Sequence, residues 1–563
     1  MGSASFVLRA FGGVLASLLL VGAHGDDLGG VHPLPMDGLP VADASAESAS
    51  VRADAPLRTY RVGRDNRPAR AVRGPQRLVR TVAGAGGRFE SAFSPLTRGA
   101  TFSVTVAGET LARVAGEPGA WTAVQFALPE RPSSVPVEMV ETLEAAPNEL
   151  VLWADDRVVP SGRTGRQPDV VLISLDTTRP DYLTPYNESE HTTPTLARLA
   201  AEGMRFDSAT SVSSWTMPGH MAMLTGLYPS LRLGFEERVD SGHTTLAEIL
   251  AAAGYVTLGA SGGPYTDSDF GFQQGFHSYL DSAEWKNARR ITDWAIEKIS
   301  QPDTGAPLFL FLNYFDAHEP GSGLTLDEWG PVDTGDRPLT PGMIERIKTG
   351  YRQDLQTIDR QLTRLFETIR LRRDWNNTLV IVTADHGQLL GERGSVGHAI
   401  SLDDELLRVP LIVKGTKTRP LHGVYRDQIQ LTDVFPLLLD LSGVQTGSPE
   451  LGNVSANRPV RALAFMRLRH EVDERIVKRP RWRSASLWAV RTDSVKVVRD
   501  REGRVTTVSV RSTGERPIVA RELTARLLAE LDRFGTGETA WTGVPLPLRS
   551  DLRDRLRALG YIR

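Results

Sequence analysis

Val170-Val171-Leu172-Ile173-Ser174-Leu175 runs straight into Asp176. Five of the six residues before the aspartate are apolar, and no polar residue alternates with them. That pattern predicts a strand buried on both faces, as in a parallel sheet covered by helices. A second run of the same kind, Thr378-Leu379-Val380-Ile381-Val382-Thr383, leads into Ala384-Asp385-His386-Gly387. Around these lie helical spacing over 193–203 with Pro194 near its start, a helix over 246–253 followed by a strand at 255–258, and an apolar strand at 307–313. A long amphipathic helix at 344–370 and further segments at 410–413 and 433–441 continue the alternation. The fold class this predicts is α/β, a mostly parallel central sheet with helices on both faces. In such sheets ligands sit beyond the carboxyl ends of the strands. Asp176 and Asp385 occupy two such ends.

The flanking sequence differs in character. Residues 1–25 read as an export signal: Arg9 is the only charge before an apolar run at 10–23, and Ala23-His24-Gly25 offers small residues for cleavage. The expectation is an exported protein, periplasmic or extracellular, with no stable membrane insertion once the signal is removed. Residues 26–55, rich in Gly, Pro, Ala and Ser, read as a linker. Residues 56–165 carry strand-like segments at 101–106, 121–126 and 148–153 between Gly and Pro turns, which predicts a small β-sandwich accessory domain. The catalytic domain is expected at 166–455. A C-terminal α+β subdomain follows at 456–563, with strands at 488–491 and 494–498 and helices at 522–534 and 551–559.

Composition narrows the chemistry. The 563 residues are 40% apolar and 24% charged, with a net charge of −3, so no nucleic-acid polymer is expected as partner. There is no cysteine, which removes disulfides, thiolate metal sites and a Cys nucleophile.

The remaining nucleophile candidate lies in Ser214-Trp215-Thr216-Met217-Pro218-Gly219-His220. Sulfate and phosphate esters are anionic and repel nucleophiles. A divalent cation answers this by lowering the pKa of an attacking alcohol and by neutralising charge on the transferred group. Asp176, Asp385 and His386 are oxygen and imidazole ligands suited to Zn, Mn or Ca, and Thr216 can place its oxygen on the same ion. His220, one turn after Thr216, can face the substrate, carry a proton near neutral pH, or serve packing.

Taken in order, these segments resemble the sulfatase branch of the alkaline phosphatase superfamily. The resemblance rests on Asp176-Thr177-Thr178-Arg179-Pro180-Asp181, Thr225-Gly226-Leu227-Tyr228-Pro229 and Tyr314-Phe315-Asp316-Ala317-His318-Glu319-Pro320. It also rests on Asp385-His386-Gly387, Gly397-His398, the segment 407–413 and the closing Leu556-Arg557-Ala558-Leu559-Gly560-Tyr561. It implies a metal-dependent hydrolase of sulfate or phosphate esters acting on an anionic small molecule or glycan. The departure is at the nucleophile. Sulfatases carry a Cys or Ser that becomes formylglycine, with an Arg four residues on. Here those positions are Thr216 and His220, so no formylglycine is expected. Threonine there resembles the phosphodiesterase branch, as does Thr177 where sulfatases place a second Asp. The resemblance further implies that Asp316, His318 and His398 contact the ester oxygens or hold a second ion. The expected mechanism is attack by Thr216 to give a covalent intermediate, with phosphoester cleavage slightly favoured over sulfate. A sulfatase working without formylglycine, a phosphoryl transferase and a catalytically silent binding protein are the alternatives.

Overall fold

The computed structural model describes a short strand at 31–33, most of 58–159, residues 167–445 apart from 230–236, 240–241, 282–286, 302–304 and 334–335, and parts of 462–545. The expected signal, nearly all of the linker, and the helix and tail motif after residue 550 lie outside the described residues. No described helix is long and apolar enough to cross a membrane. The chain divides into two compact units, residues 1–161 and 162–563.

In the first unit, antiparallel strands form two sheets. One contains Asp65–Arg73, Leu150–Ala154, Ala85–Pro95 and Thr122–Glu130. The other contains Gln76–Val82, Val137–Glu144, Ala100–Val106 and Glu109–Gly116. Phe89, Phe93, Phe102, Val104, Met139, Leu143 and Trp153 share one buried cluster, drawn from both sheets. Phe102 meets the indole of Trp153 edge-on at 5.1 Å.

The second unit is built on eight strands in the spatial order Ser278–Leu280, Val256–Ala260, Leu308–Tyr314, Asp169–Leu175, Thr378–Thr383, Leu411–Lys414, Met204–Phe206 and Gly423–Tyr425. The first five run parallel. Leu411–Lys414 is antiparallel to both of its neighbours. Because side chains alternate across a strand, the quoted apolar run feeds two cores. Val170 and Leu172 pack with helices Thr216–Thr225, Leu246–Ala252 and Leu431–Ser442. Val171, Ile173 and Leu175 pack with Pro194–Glu202, Ala288–Ser300 and Pro341–Arg372 on the other face. The long helix begins with Pro341 at its first position and Thr340 Oγ1 accepting the Met343 N–H at 3.3 Å.

Register sets the site. Leu175 lies opposite Tyr314, and Ser174 opposite Thr383. The chain segments beginning at Asp176, Phe315 and Ala384 therefore leave the sheet side by side.

A five-stranded antiparallel sheet, Ala462–Arg467 through Gly514–Pro517, follows with helix Arg521–Phe534 against it. Its buried Lys496 pairs with Glu515 and, at 3.3 Å, with Asp404, which also takes Arg491 at 2.9 Å.

Candidate active site

Asp176 follows directly on its strand and is fully buried. The next residue, Thr177, turns the chain with φ at +55°. A left-handed conformation costs a non-glycine residue about 1–2 kcal/mol. Asp385 sits at the end of the adjacent strand. Its Oδ1 accepts the backbone N–H groups of Thr177 at 3.1 Å and His386 at 2.9 Å. The two strand ends are thereby tied through one carboxylate oxygen.

Thr216 opens a ten-residue helix in which every residue is buried, between the sheet and helix Leu431–Ser442. The absence of a side chain at Gly219 permits the approach to the Asp385 strand end: a Cβ there would lie 2.4 Å from the Asp385 carbonyl oxygen. This brings Thr216 Oγ1 to 3.4 Å from His386 Nε2. His386 donates its Nδ1–H to the Gly387 carbonyl at 2.8 Å, which leaves Nε2 with a lone pair. Nε2 is also 3.3 Å from Asp385 Oδ2. Burial pushes the ring's pKa down to about 4, against the opposing pull of Asp385.

The electrostatics are set by buried carboxylate oxygens that lack partners. Both oxygens of Asp176 and Oδ2 of Asp385 are buried with no hydrogen-bond partner among the described residues. Burial first, and the Asp385 charge second, hold the Asp176 carboxyl well above the usual carboxylate range. Orphaned buried carboxylates are costly unless paired or bound to metal. Of the residues expected in the site, Asp176, Thr216, Asp385 and His386 are brought together.

His220 is placed differently from its sequence-based candidacy as a catalytic group. Its Nδ1–H donates to the Thr216 carbonyl at 2.9 Å, and Nε2 accepts from Asn313 Nδ2 at 3.1 Å. Asn313 cannot turn its amide over without loss, because Oδ1 already accepts the Gly262 N–H at 3.0 Å. The His220 ring is fully buried and edge-on to Phe272 and Phe311. It lies within ligand distance of Asp176 and Asp385, their candidate atoms all within 4.8 Å of one another. Both ring nitrogens are nevertheless committed, and the ring braces the first turn of the helix that Thr216 opens.

A second cluster adjoins the first. His318 and His398 approach at 4.8 Å between ring centroids, and His398 stacks on His386 at 4.7 Å. The Ala399 N–H donates to the Ser214 carbonyl at 2.8 Å, tying this loop to the segment that leads into Thr216. Glu319 contacts both histidines. Asp316 accepts the Ala288 N–H at 2.9 Å, at the start of helix Ala288–Ser300. Glu319 Oε1 accepts from His398 Nδ1 at 2.6 Å, and its main-chain carbonyl accepts from His318 Nδ1 at 2.8 Å. The two imidazoles hold the Glu319 carboxyl down to about 2 despite burial. His318, Glu319 and His398 offer ligand atoms within 4.8 Å of one another.

The helix Pro341–Arg372 supports these loops. Tyr351 hydrogen-bonds the turn after Asp176, and Asp354 accepts both the N–H and the hydroxyl of Ser322, just beyond Glu319. One turn further, Asp359 accepts the N–H groups of Thr195 and Leu196 at the start of helix Pro194–Glu202. Arg179 pairs with Asp181 at 2.7 Å and Glu392 at 2.8 Å, bridging the loops after the two strand-end aspartates.

The sulfatase family model matches residues 168–444, the segment that contains every group of both clusters. These residues form a sulfatase-family domain. The chain is 21% identical to an uncharacterized sulfatase, YidJ, of Escherichia coli, over 55% of this chain and 74% of that protein. It is 22% identical to the multifunctional alkaline phosphatase superfamily protein PehA of Trinickia caryophylli, over 49% of this chain and 74% of that one. The phosphonate monoester hydrolase of Agrobacterium radiobacter shares the fold, with a TM-score of 0.51 at 17% identity over 65% of this chain and 95% of that structure. The domain at residues 168–444 is thus one of the sulfatase family of ester hydrolases, with an α/β alkaline phosphatase-like core.

Proposed function

We propose that this sulfatase-family domain cleaves sulfate or phosphate esters with Thr216 as the nucleophile. A divalent cation, Zn, Mn or Ca, would be held by Asp176, Asp385 and His386, with Thr216 Oγ1 beside it. One observation carries this reading: three orphaned, buried carboxylate oxygens sit in the cluster where the Thr216 hydroxyl meets the lone pair of His386 Nε2. When bound, the cation supplies a lowered hydroxyl pKa and charge neutralisation of the transferred group.

The chain's own groups do the rest. Thr216 Oγ1 would lose its proton to water and form a bond to sulfur or phosphorus while the ester bond opposite breaks. His318 would meet the transferred oxygens through Nε2 once that atom carries a proton, since its Nδ1–H is given to the Glu319 carbonyl. Glu319 stays ionised, and its charge favours a second proton on His398, which passes to the departing oxygen. Water then attacks the Thr216 ester, returns its proton to His398 and frees the acid. The absence of any cysteine and the presence of threonine at residues 177 and 216 favour phosphoester over sulfate substrates. The substrate is a small anionic ester or a glycan ester. The apolar run after Arg9 supports export of the protein.

A second reading places a cation between His318, Glu319 and His398, whose ligand atoms lie within 4.8 Å of one another; His398 would then be a ligand and would pass no proton to the departing oxygen. Elemental analysis after gentle purification separates one ion per chain from two. Turnover of matched aryl sulfate, phosphate monoester and phosphodiester substrates tests the reaction. Absence of turnover of all three by the metal-loaded protein sinks the proposal.

A further inference from the structure

Thr177 is β-branched, yet it occupies the left-handed region at φ +55°. Such residues persist there only where their surroundings over-determine them. Among the described residues, three hydrogen bonds do so. The Thr177 N–H donates to Asp385 Oδ1, its hydroxyl donates to the Asp176 carbonyl at 2.7 Å, and its carbonyl accepts from the Tyr351 hydroxyl at 2.9 Å. The same phenol oxygen accepts the Arg179 N–H at 2.9 Å. It therefore spans the turn from residue 177 to residue 179. The first two bonds stay between the two strand ends; Tyr351 reaches in from helix Pro341–Arg372. Its ring is buried and held edge-on against Tyr182 at 5.1 Å.

We infer that Tyr351 is a positioning residue for the cation site. Its hydroxyl holds Thr177 in the strained turn that presents Asp176 to Asp385 and His386. The inference rests on the reading that these three residues hold a cation. Supporting groups of this kind alter metal affinity without touching the metal.

The test uses the full-length chain carrying Tyr351→Phe, Thr177→Gly or both, with Mn²⁺ as the probe. Tyr351→Phe is expected to weaken Mn²⁺ binding on the order of tenfold. Thr177→Gly added to it is expected to restore affinity to that of Thr177→Gly alone, because glycine adopts positive φ at no steric cost. Wild-type affinity in Tyr351→Phe, or no recovery on adding glycine, overturns the inference. Should the wild-type chain take up no Mn²⁺, the cation reading fails. The strap is then judged on metal-free unfolding, where Thr177→Gly must raise the midpoint of Tyr351→Phe more than that of wild type; equal shifts overturn it. Folding of the double variant where Tyr351→Phe alone fails to fold supports the strap; failure of both overturns it.

Discussion

Thr216 Oγ1 lies 3.4 Å from His386 Nε2, and neither side chain reaches solvent. The separation is long for a strong hydrogen bond. It suits two ligands that share one focus with the orphaned oxygens of Asp176 and Asp385. Thr216→Ala is expected to lower turnover on the order of 10³-fold or more while metal content holds. Thr216→Ser, which keeps the hydroxyl, should retain measurable activity. Steady-state kinetics with matched aryl esters, alongside elemental analysis, checks both; undiminished turnover in the alanine variant would rule out this nucleophile.

Cation uptake should be coupled to protons. The Asp176 carboxyl is held well above its ordinary value, so the metal-free site keeps a proton where a free aspartate has lost it. His386, pushed down to about 4, is neutral between about pH 5 and 8 and adds nothing to the slope there. Binding must therefore expel a proton from the carboxyl. Apparent affinity rises with pH, by up to about one decade per unit, until Asp176 is ionised. The same raised pKa means that the metal-free fold binds more protons than the unfolded chain and loses stability as pH climbs toward that pKa. Calorimetry in buffers of different ionisation enthalpy reads the proton release directly. A flat affinity profile would contradict the assignment.

Asp316 and Glu319 should behave oppositely. Asp316→Ala removes an acceptor at a helix start and should cost about 1 kcal/mol of stability, with metal content unchanged. Glu319→Gln breaks the 2.6 Å pair with His398 and should lower turnover about 10²-fold for poor leaving groups, less for nitrophenolate, which departs unprotonated. Equal loss for both leaving groups would remove the proton-donor role from His398.

Gly219→Ala tests the packing of helix Thr216–Thr225. The added methyl would sit 2.4 Å from the Asp385 carbonyl, so helix and strand end must separate. Overpacking of this kind costs about 1–3 kcal/mol, partly offset by alanine's helix propensity. A lowered unfolding midpoint together with lowered activity is expected. Loss of neither would mean that this contact yields freely.

The central sheet and its two strand-end aspartates were legible because an uninterrupted apolar run ends where a carboxylate begins. Thr216 and His386 were legible for a related reason, each lying within a residue or two of an element boundary. The second cluster was not. Asp316 and His318 sit two apart in an irregular turn, where spacing says nothing of direction, and the turn sends Asp316 toward residue 288. Glu319 carries no local mark of its own. The fate of His220 depends on Asn313, 93 residues away, a contact that only the closed sheet creates. Thr177 looked like a missing ligand; its backbone angle, which composition does not report, is what the fold uses.

Along helix Pro341–Arg372, Tyr351 grips the turn after Asp176 and Asp354 grips the loop after Glu319, while Gly350 and Gly323 leave room for their backbones to touch. The spacing between the two halves of the site is thus written in the pitch of one helix. Inserting a single residue between Tyr351 and Asp354 would swing one grip by about 100° relative to the other. Point changes on this helix are cushioned by its length, but its reading frame is not free to slip, and the span over which an ester must fit inherits that tolerance.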